Sequence, residues 1–204
     1  MERLINELLR ESVLKNPLVL SAFKAIDRAD FVPKEKTREA YQNYPLPIGH
    51  GQTISQPYTV AFMMELLDPK PEQKILEVGS GSGWQTAMLA YIVEEKGKVY
   101  AMEIIPELSE FGKANVAKYP DLAKRVTFSA HSAENGLPKH APFDRIIAAA
   151  SLREIPDAWK MQLKIGGKMV FPLRESIYVL TKESSEKFKK EVFHGFVFVP
   201  FVKK

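Results

Sequence analysis

The chain has 204 residues, of which 45% are hydrophobic and 26% charged, and these proportions are typical of a globular protein of one domain. It contains no cysteine, which excludes disulfides and thiolate chemistry. Its 29 basic and 25 acidic residues give a net charge of +4. This small excess predicts a solvated basic surface rather than a nucleic-acid-binding stripe. The lysines near the C-terminal end form a cluster of Lys187, Lys189, Lys190, Lys203 and Lys204.

Residues 1–56 are predicted to form a helical N-terminal extension followed by a loop. The opening run MERLINELLRE has the apolar spacing of an amphipathic helix and carries acids, unlike a signal peptide, so a cytoplasmic protein is expected. Prolines interrupt the apolar spacing of residues 1–40, which predicts several short helices. Residues 41–56 are rich in proline and glycine and predict a loop without regular structure.

Residues 57–204 are predicted to form a sheet core, because β-branched stretches alternate there with amphipathic ones. This alternation predicts an α/β fold with a doubly wound, largely parallel, Rossmann-like sheet, in which ligands lie outside the carboxyl ends of the strands. The last two apolar stretches predict a C-terminal antiparallel strand pair. The predicted strands are 74–78, 98–103, 125–130, 143–150, 167–173, 176–182 and 191–201, and the predicted helices are 57–67, 84–95, 106–119 and 157–163.

The run KILEVGSGSGWQTAMLA, residues 74–90, predicts a strand, a glycine-rich turn and a helix in direct succession. Such a turn brings backbone amides close to a bound nucleoside. An acid, Glu103, stands 20 residues after Gly83 at the end of the next predicted strand, where a carboxylate would reach a ribose. The pattern therefore predicts an adenosine-containing cofactor.

The spacing of the glycines distinguishes between two such cofactors. Dinucleotide-binding turns follow G-x-G-x-x-G, whereas this turn follows G-x-G-x-G and has Trp84 where the third glycine would stand. An indole there would crowd close helix packing, and Glu77 before the turn would repel a diphosphate but attract a cationic amino acid group. S-adenosylmethionine carries an ammonium, a sulfonium and a ribose without phosphate, so we predict it rather than NAD.

The loop PIGHGQTISQP ahead of the helix at 57–67 has no apolar periodicity that would explain it as core, which suggests a functional role. Ser55 lies just before the predicted helix, where a hydroxyl can accept a hydrogen bond from an early helix amide. Spacing alone favours this capping role for Ser55, with a role in the active site as the alternative.

Five segments of the chain carry a resemblance to a known family: PLPIGHGQTISQPYTVAFM, ILEVGSGSGWQTAMLA, PFDRIIAAAS, QLKIGGKMVFPL and FVFVPF. In this order and at these distances they resemble the protein-L-isoaspartate O-methyltransferase family, and the QTISQP loop is the most specific part. The resemblance implies a class I S-adenosylmethionine-dependent methyltransferase fold whose last two strands are exchanged relative to the commoner order. It also implies methylation of the free carboxylate of L-isoaspartyl residues in damaged proteins and peptides.

The resemblance further implies roles for individual residues. Ser55 matches the active-site hydroxyl, and we expect it to orient the acceptor oxygen by a hydrogen bond without becoming a covalent nucleophile. The family's Gly-Asp-Gly, whose Asp accepts a bond from the adenine amino group, is replaced by His131, Ser132 and Ala133, and the lost charge would cost about 1 kcal/mol. The expected cofactor-binding residues are Thr53, Ile54, Glu77, Gly79, Ser80, Gly81, Glu103, Ile104, Ser132 and Ala133.

The implied chemistry agrees with the residues that the sequence offers. A carboxylate acceptor is already ionised at neutral pH, so no general base is required, and the four histidines lack metal-ligand spacing. We expect isoaspartyl proteins and peptides as partners, no metal, nucleic acid or membrane, and a monomer. Two alternatives stay open: an RNA-directed class I methyltransferase, suggested by the basic charge, and a non-catalytic cofactor-binding relative, suggested by residues 131–133. Neither explains the QTISQP loop.

Overall fold

A computed structural model describes residues 1–202, so Lys203 and Lys204 of the predicted lysine cluster lie outside the described residues. The strands are β1 (Leu46–Gly49), β2 (Gln52–Ile54), β3 (Lys74–Val78), β4 (Lys98–Glu103), β5 (Val126–Ala130), β6 (Phe143–Ala148), β7 (Leu163–Leu173), β8 (Ser176–Lys182) and β9 (Phe188–His194). The α-helices are α1 (Glu2–Arg10), α2 (Pro17–Ala25), α3 (Pro57–Leu67), α4 (Trp84–Val93), α5 (Pro106–Val116), α6 (Pro120–Ala123) and α7 (Asp157–Gln162). Short 3-10 helices span Arg28–Phe31, Lys34–Glu39 and Pro138–His140.

The main sheet has seven strands in the order β5-β4-β3-β6-β7-β8-β9. Strands β3 to β7 pair in parallel, whereas β8 and β9 pair antiparallel to their neighbours. This arrangement confirms the predicted doubly wound α/β fold with a C-terminal antiparallel pair. Strand β9 lies at the edge beyond β8, which is the exchanged order that the family resemblance implies.

Strand β3 at the centre of the sheet shows why the core forms on both faces. Its side chains are buried almost throughout, as expected of a parallel strand covered by helices on both sides. Successive side chains point to opposite faces, and accordingly Ile75 belongs to one hydrophobic cluster while Leu76 and Val78 belong to the other. The carboxyl ends of the parallel strands are thereby held at one rim of the sheet.

The N-terminal extension packs on the first of these clusters, since Leu4, Leu8 and Phe23 are buried in it together with α4. Polar contacts hold it in place as well: the hydroxyl of Tyr119 donates to Asp30 Oδ2 at 2.7 Å. None of the helices within residues 1–202 has both the length and the apolar character needed to cross a membrane.

Several predicted boundaries differ from the structure, most clearly at three places. Residues 41–56, predicted to lack regular structure, contain the hairpin β1–β2, in which Leu46 pairs with Ile54. The predicted strand 191–201 is wrong beyond His194, because Gly195 adopts φ +92° and the chain leaves the edge of the sheet there. Strand β7 begins at Leu163, four residues before the predicted start at 167, so the helix before it ends at Gln162.

Candidate active site

A cavity of about 780 Å³ opens at the rim where the parallel strands end. It is lined by the loop containing Ser55, the glycine loop, the end of β4 and the segments that follow β5 and β6, together with the C-terminal segment. The main lining ranges are 52–56, 77–82, 102–107, 149–150 and 197–202. A volume of this size is typical of a site for a small molecule or cofactor.

Ten of the eleven residues that are expected to bind the cofactor or to act on the acceptor line this one cavity, and one does not. The lining residues are Thr53, Ile54, Ser55, Glu77, Gly79, Ser80, Gly81, Glu103, Ile104 and Ala133. Ser132 is absent from the lining, whereas its neighbour His131 is present. The structure thus brings together segments that are up to 80 residues apart in the chain, from Thr53 to Ala133.

The glycine loop adopts backbone conformations that only glycine reaches easily. Gly79, Gly81 and Gly83 all have positive φ, and a Cβ on Gly83 would lie 2.7 Å from the carbonyl oxygen of Gly112 in α5. Gly83 therefore provides the close helix packing that the sequence analysis placed at the position of Trp84. Gly112 was missed in the sequence, although a glycine inside a predicted helix is the signal that indicates such packing.

Trp84 begins α4 and turns towards the N-terminal extension. Its ring is buried and packs edge-on against Phe23 with 5.3 Å between the ring centroids. Its Nε1 donates to the carbonyl of Ile26 at 3.4 Å. Trp84 also lines the cavity, so it connects the extension to the site.

Ser80 carries an unsatisfied polar group inside the site. Its hydroxyl oxygen is buried and has no hydrogen-bond partner within the described residues. A buried hydroxyl without a partner costs free energy, commonly about 1–3 kcal/mol. Because Ser80 lines the cavity, a ligand there can supply the missing partner.

Glu103 ends β4 and is only 6% exposed. Its Oε2 accepts the N–H of Gly81 at 2.9 Å, and its Oε1 accepts the N–H groups of Ile104 at 2.9 Å and Ile105 at 3.1 Å. A carboxylate offers about four lone-pair positions, so three are used by the backbone. The remaining one, on Oε2, can accept a hydrogen bond from a hydroxyl in the cavity.

Glu77 is almost completely buried, at 1% exposure, within β3. Its Oε1 accepts from Gln85 Nε2 at 3.0 Å and its Oε2 accepts from the hydroxyl of Thr86 at 2.5 Å. Burial raises the pKa of Glu77 to about 7, while these two hydrogen bonds oppose the rise and the charge of Glu103 adds to it. Helix α4 therefore holds both oxygens, and the carboxyl is partly protonated at neutral pH.

The capping role that spacing favours for Ser55 is wrong. Helix α3 begins at Pro57, its N-cap residue is Gln56, and an N–H of the first turn is accepted by Asn43 Oδ1 at 3.0 Å. Within residues 1–202 the hydroxyl of Ser55 makes no hydrogen bond, whereas its carbonyl accepts from Arg28 Nη2 at 3.0 Å. Since Ser55 lines the cavity, its hydroxyl is left available to a ligand.

The loop after β5 is where the sequence departs from the family pattern. The hydroxyl of Ser132 accepts the N–H of Glu134 at 3.4 Å, so this side chain faces the following turn. The buried Ala133 lines the cavity, and its carbonyl accepts from Trp159 Nε1 at 2.8 Å. The backbone of this loop is thus fixed beside the cavity while the side chain at position 132 is directed elsewhere.

The C-terminal segment crosses the mouth of the cavity in extended form. The N–H of Ser151 donates to the carbonyl of Val199 at 2.7 Å, and the N–H of Phe201 donates to the carbonyl of Ser151 at 2.8 Å. Val197 is 87% exposed although it lines the cavity, which places it at the rim. The apolar composition of this segment predicts a strand of the sheet, whereas in the structure the segment lines the cavity.

Residues 1–202 contain no group of three or more His, Asp or Glu side chains placed to hold a metal ion. The polar groups of the cavity include hydroxyls, carboxylates, side-chain and backbone amides, and the imidazole of His131. These groups can bind hydroxyl and ammonium groups of an organic ligand by hydrogen bonds.

Comparisons with known proteins bear on this site. The family model for protein-L-isoaspartate(D-aspartate) O-methyltransferase matches residues 1–204. A protein-L-isoaspartate O-methyltransferase from Hyperthermus butylicus is 42% identical, with 98% of this chain and 87% of the relative covered. Another from Pyrobaculum neutrophilum is also 42% identical, with 97% of each chain covered.

Solved structures agree with the sequence comparisons. A crystal structure of a Plasmodium falciparum protein, named as a protein-L-isoaspartate O-methyltransferase in complex with S-adenosyl-L-homocysteine, superposes with a TM-score of 0.88 at 25% identity. The match covers 99% of this chain and 98% of the other. A further structure with the same enzyme name has a TM-score of 0.86 at 26% identity, with 98% of this chain and 65% of the other covered.

Proposed function

The chain belongs to the protein-L-isoaspartate(D-aspartate) O-methyltransferase family, and on this premise we propose that its cavity binds S-adenosylmethionine beside an isoaspartyl carboxylate. The protein is a repair enzyme that transfers a methyl group from S-adenosylmethionine to the free carboxylate of L-isoaspartyl residues in proteins and peptides. One observation carries the placement of both ligands: the Ser55 loop and the glycine loop, which are distant in sequence, line one cavity.

The residues present fit this cofactor. The spare lone pair on Glu103 suits a ribose hydroxyl, and the buried hydroxyl of Ser80 needs a partner that the protein does not supply. Gly79 leaves room for a ligand to approach its backbone, since even a Cβ built on Gly79 would lie no nearer than 3.8 Å to Ala149. Glu77, which lines the cavity, would supply partial negative charge to the cationic amino acid group of the cofactor. When bound, S-adenosylmethionine supplies a methyl group on a positively charged sulfonium.

The acceptor side of the site is assigned to Ser55. Its free hydroxyl donates a hydrogen bond to one oxygen of the isoaspartyl carboxylate and so aims the other oxygen at the methyl group. The carboxylate is ionised at neutral pH, so the protein has no proton to remove. What remains is exclusion of water and alignment, which in well-oriented systems contribute up to about 7–11 kcal/mol.

The peptide around the isoaspartyl residue is proposed to pair with the C-terminal segment 197–202. One edge of this segment is bonded to Ser151, and the backbone groups on its other edge make no hydrogen bond within residues 1–202, so they can bond a substrate backbone. Backbone pairing accepts many neighbouring side chains, which suits an enzyme that must act on damage in varied sequences. Strong sequence selectivity in a peptide panel would contradict this assignment.

Adenine is proposed to be held by the backbone of the loop after β5 rather than by a side-chain acid. Support comes from the side chain of Ser132, which faces Glu134 and is absent from the lining, and from Ala133, whose backbone is fixed beside the cavity by Trp159. The remaining expectations, namely one domain over residues 1–204, a monomer, no nucleic-acid partner and a cytoplasmic location, stay predictions.

The deciding experiment offers labelled S-adenosylmethionine and two peptides that differ only in an isoaspartyl or an ordinary aspartyl linkage. We expect base-labile label on the isoaspartyl peptide alone. Label on both peptides would refute the substrate assignment, and label on a folded RNA would favour the RNA-directed alternative. Calorimetric binding of S-adenosylhomocysteine without any turnover would favour the non-catalytic alternative.

A further inference from the structure

Arg28 is a buried charge that the proposed reaction has not used. Its side chain is 0% exposed, and none of the ion pairs formed within residues 1–202 includes it. Its Nε is buried and has no hydrogen-bond partner in the part of the chain that the structure describes. Burial lowers the pKa of Arg28 to about 10, so the group stays charged at neutral pH. A buried cation without an acidic partner is costly and calls for an explanation.

The partners of this guanidinium are backbone carbonyls on both sides of the hairpin β1–β2. Nη1 donates to Ala40 at 2.8 Å and Gln42 at 3.2 Å, and Nη2 donates to Tyr44 at 3.2 Å and Ser55 at 3.0 Å. The first three precede the hairpin and the last follows it. One planar group therefore binds both ends of the segment 44–55, which contains Ser55.

The same guanidinium also contacts the cofactor side of the cavity. Its Cζ lies 5.3 Å from the ring centroid of Trp84, which begins α4 directly after the glycine loop. Arginine suits this place because its fork can bond several carbonyls while its face stacks on an aromatic ring, which the point charge of lysine cannot reproduce. Arg28 thus sets the backbone of Ser55 relative to the start of α4.

We propose that Arg28 is a positioning residue of the methyl transfer, acting through the backbone of Ser55 rather than by contact with either substrate. This inference rests on the proposed function. A residue with a purely structural role would lower the fraction of folded protein, whereas a positioning residue lowers turnover in molecules that still bind the cofactor.

The test uses Arg28→Lys and the matched control Arg145→Lys. Arg145 also donates to backbone carbonyls, those of Leu67, Asp68 and Asp144, but it lies outside the cavity lining. For each variant, active molecules are counted by titration with S-adenosylhomocysteine, and kcat and KM for an isoaspartyl peptide are measured per active molecule. We expect kcat/KM of Arg28→Lys to fall about tenfold to 10²-fold with cofactor affinity within about threefold of wild type, because small misplacements have effects of this size. Arg145→Lys should keep wild-type kcat/KM.

Three results decide the matter. Equal kcat/KM per active molecule in the two lysine variants would overturn the positioning role. If Arg28→Lys does not bind S-adenosylhomocysteine, Arg28→Gln is measured in the same way. Loss of binding in both variants would show that Arg28 maintains the cofactor cavity itself, and this result would also overturn the proposal. Failure of the proposed function is separate, because it would appear as wild-type protein without turnover on the isoaspartyl peptide.

Discussion

Replacing Glu103 by glutamine tests the cofactor side of the site at a single atom. Glutamine keeps the size of the side chain and can place its oxygen where Oε1 lies, so the bonds from the N–H groups of Ile104 and Ile105 survive. Its NH2 group then replaces Oε2 and meets the N–H of Gly81, donor against donor. The substitution thereby removes the one lone pair that the backbone leaves for a ribose hydroxyl.

The expected loss follows from the number and kind of bonds. A hydrogen bond to a charged group contributes about 1.5–3 kcal/mol, and binding loses one such bond. S-adenosylhomocysteine should therefore bind about 10- to 150-fold more weakly to Glu103→Gln. The separate loss of the Gly81 bond lowers the free energy of unfolding of the ligand-free protein by about 1–3 kcal/mol.

Calorimetric titration with S-adenosylhomocysteine gives the dissociation constant, and denaturant unfolding without ligand gives the stability. Glu110→Gln is the control, since Glu110 lies on the nearby helix α5, is exposed, and forms an ion pair with Lys113 at 3.5 Å. The control should change the dissociation constant by less than about twofold, because exposed charges contribute little. If Glu103→Gln also stays within that range, Glu103 does not hold the ribose.

Three further predictions address the acceptor, the buried acid and the adenine loop. Ser55→Ala should lower kcat on an isoaspartyl peptide by about 10- to 100-fold, because one hydrogen bond to a charged group is lost, and should leave the affinity for S-adenosylhomocysteine unchanged. Unchanged turnover would show that the hydroxyl does not take part in the reaction. The pKa of Glu77 is about 7 in the folded protein, against an ordinary value of 4.5. As the pH rises, Glu77 therefore loses its proton in the unfolded chain before it does so in the folded protein. The free energy of unfolding of wild type relative to Glu77→Gln should accordingly fall by up to about 3 kcal/mol between pH 4.5 and 7, and a difference that does not vary with pH would refute this. Ser132→Asp should leave the affinity for S-adenosylhomocysteine within about threefold, because the side chain faces Glu134; a gain of tenfold or more would show that position 132 reaches adenine.

The parts of the site that could be predicted from the sequence are those encoded by local pattern. Glycines at alternate positions after an apolar stretch indicate a ligand-binding turn, and an acid at the end of the next strand follows from the geometry of a parallel sheet. The hairpin β1–β2 could not be predicted in the same way. Its strands have only four and three residues and contain Pro47 and Gly49, so no alternation of apolar residues is long enough to detect.

Contacts with the backbone account for most of what the sequence did not reveal. Arg28 is a single arginine in a short segment and belongs to no periodic pattern. Its partners are backbone carbonyls as far as 27 residues away. Because every residue has a carbonyl whatever its side chain, the sequence does not show which carbonyls Arg28 binds. The same reason explains the wrong capping role of Ser55. Helix α3 begins at Pro57 as predicted, but the N–H of Tyr58 is accepted by the side chain of Asn43, a distant residue that no local pattern reveals.

The charges around the cavity are separated in the way that the proposed reaction requires. Glu77 and Glu103 lie on the side of the glycine loop, where a cofactor with an ammonium and a sulfonium would be stabilised by negative charge. Arg28 lies behind Ser55, where an anionic acceptor would be stabilised by positive charge. Because buried charges act over longer distances than solvated ones, this layout favours a cationic donor and a carboxylate acceptor in the same cavity. A neutral acceptor, such as a base or ribose of RNA, would gain nothing comparable from the guanidinium.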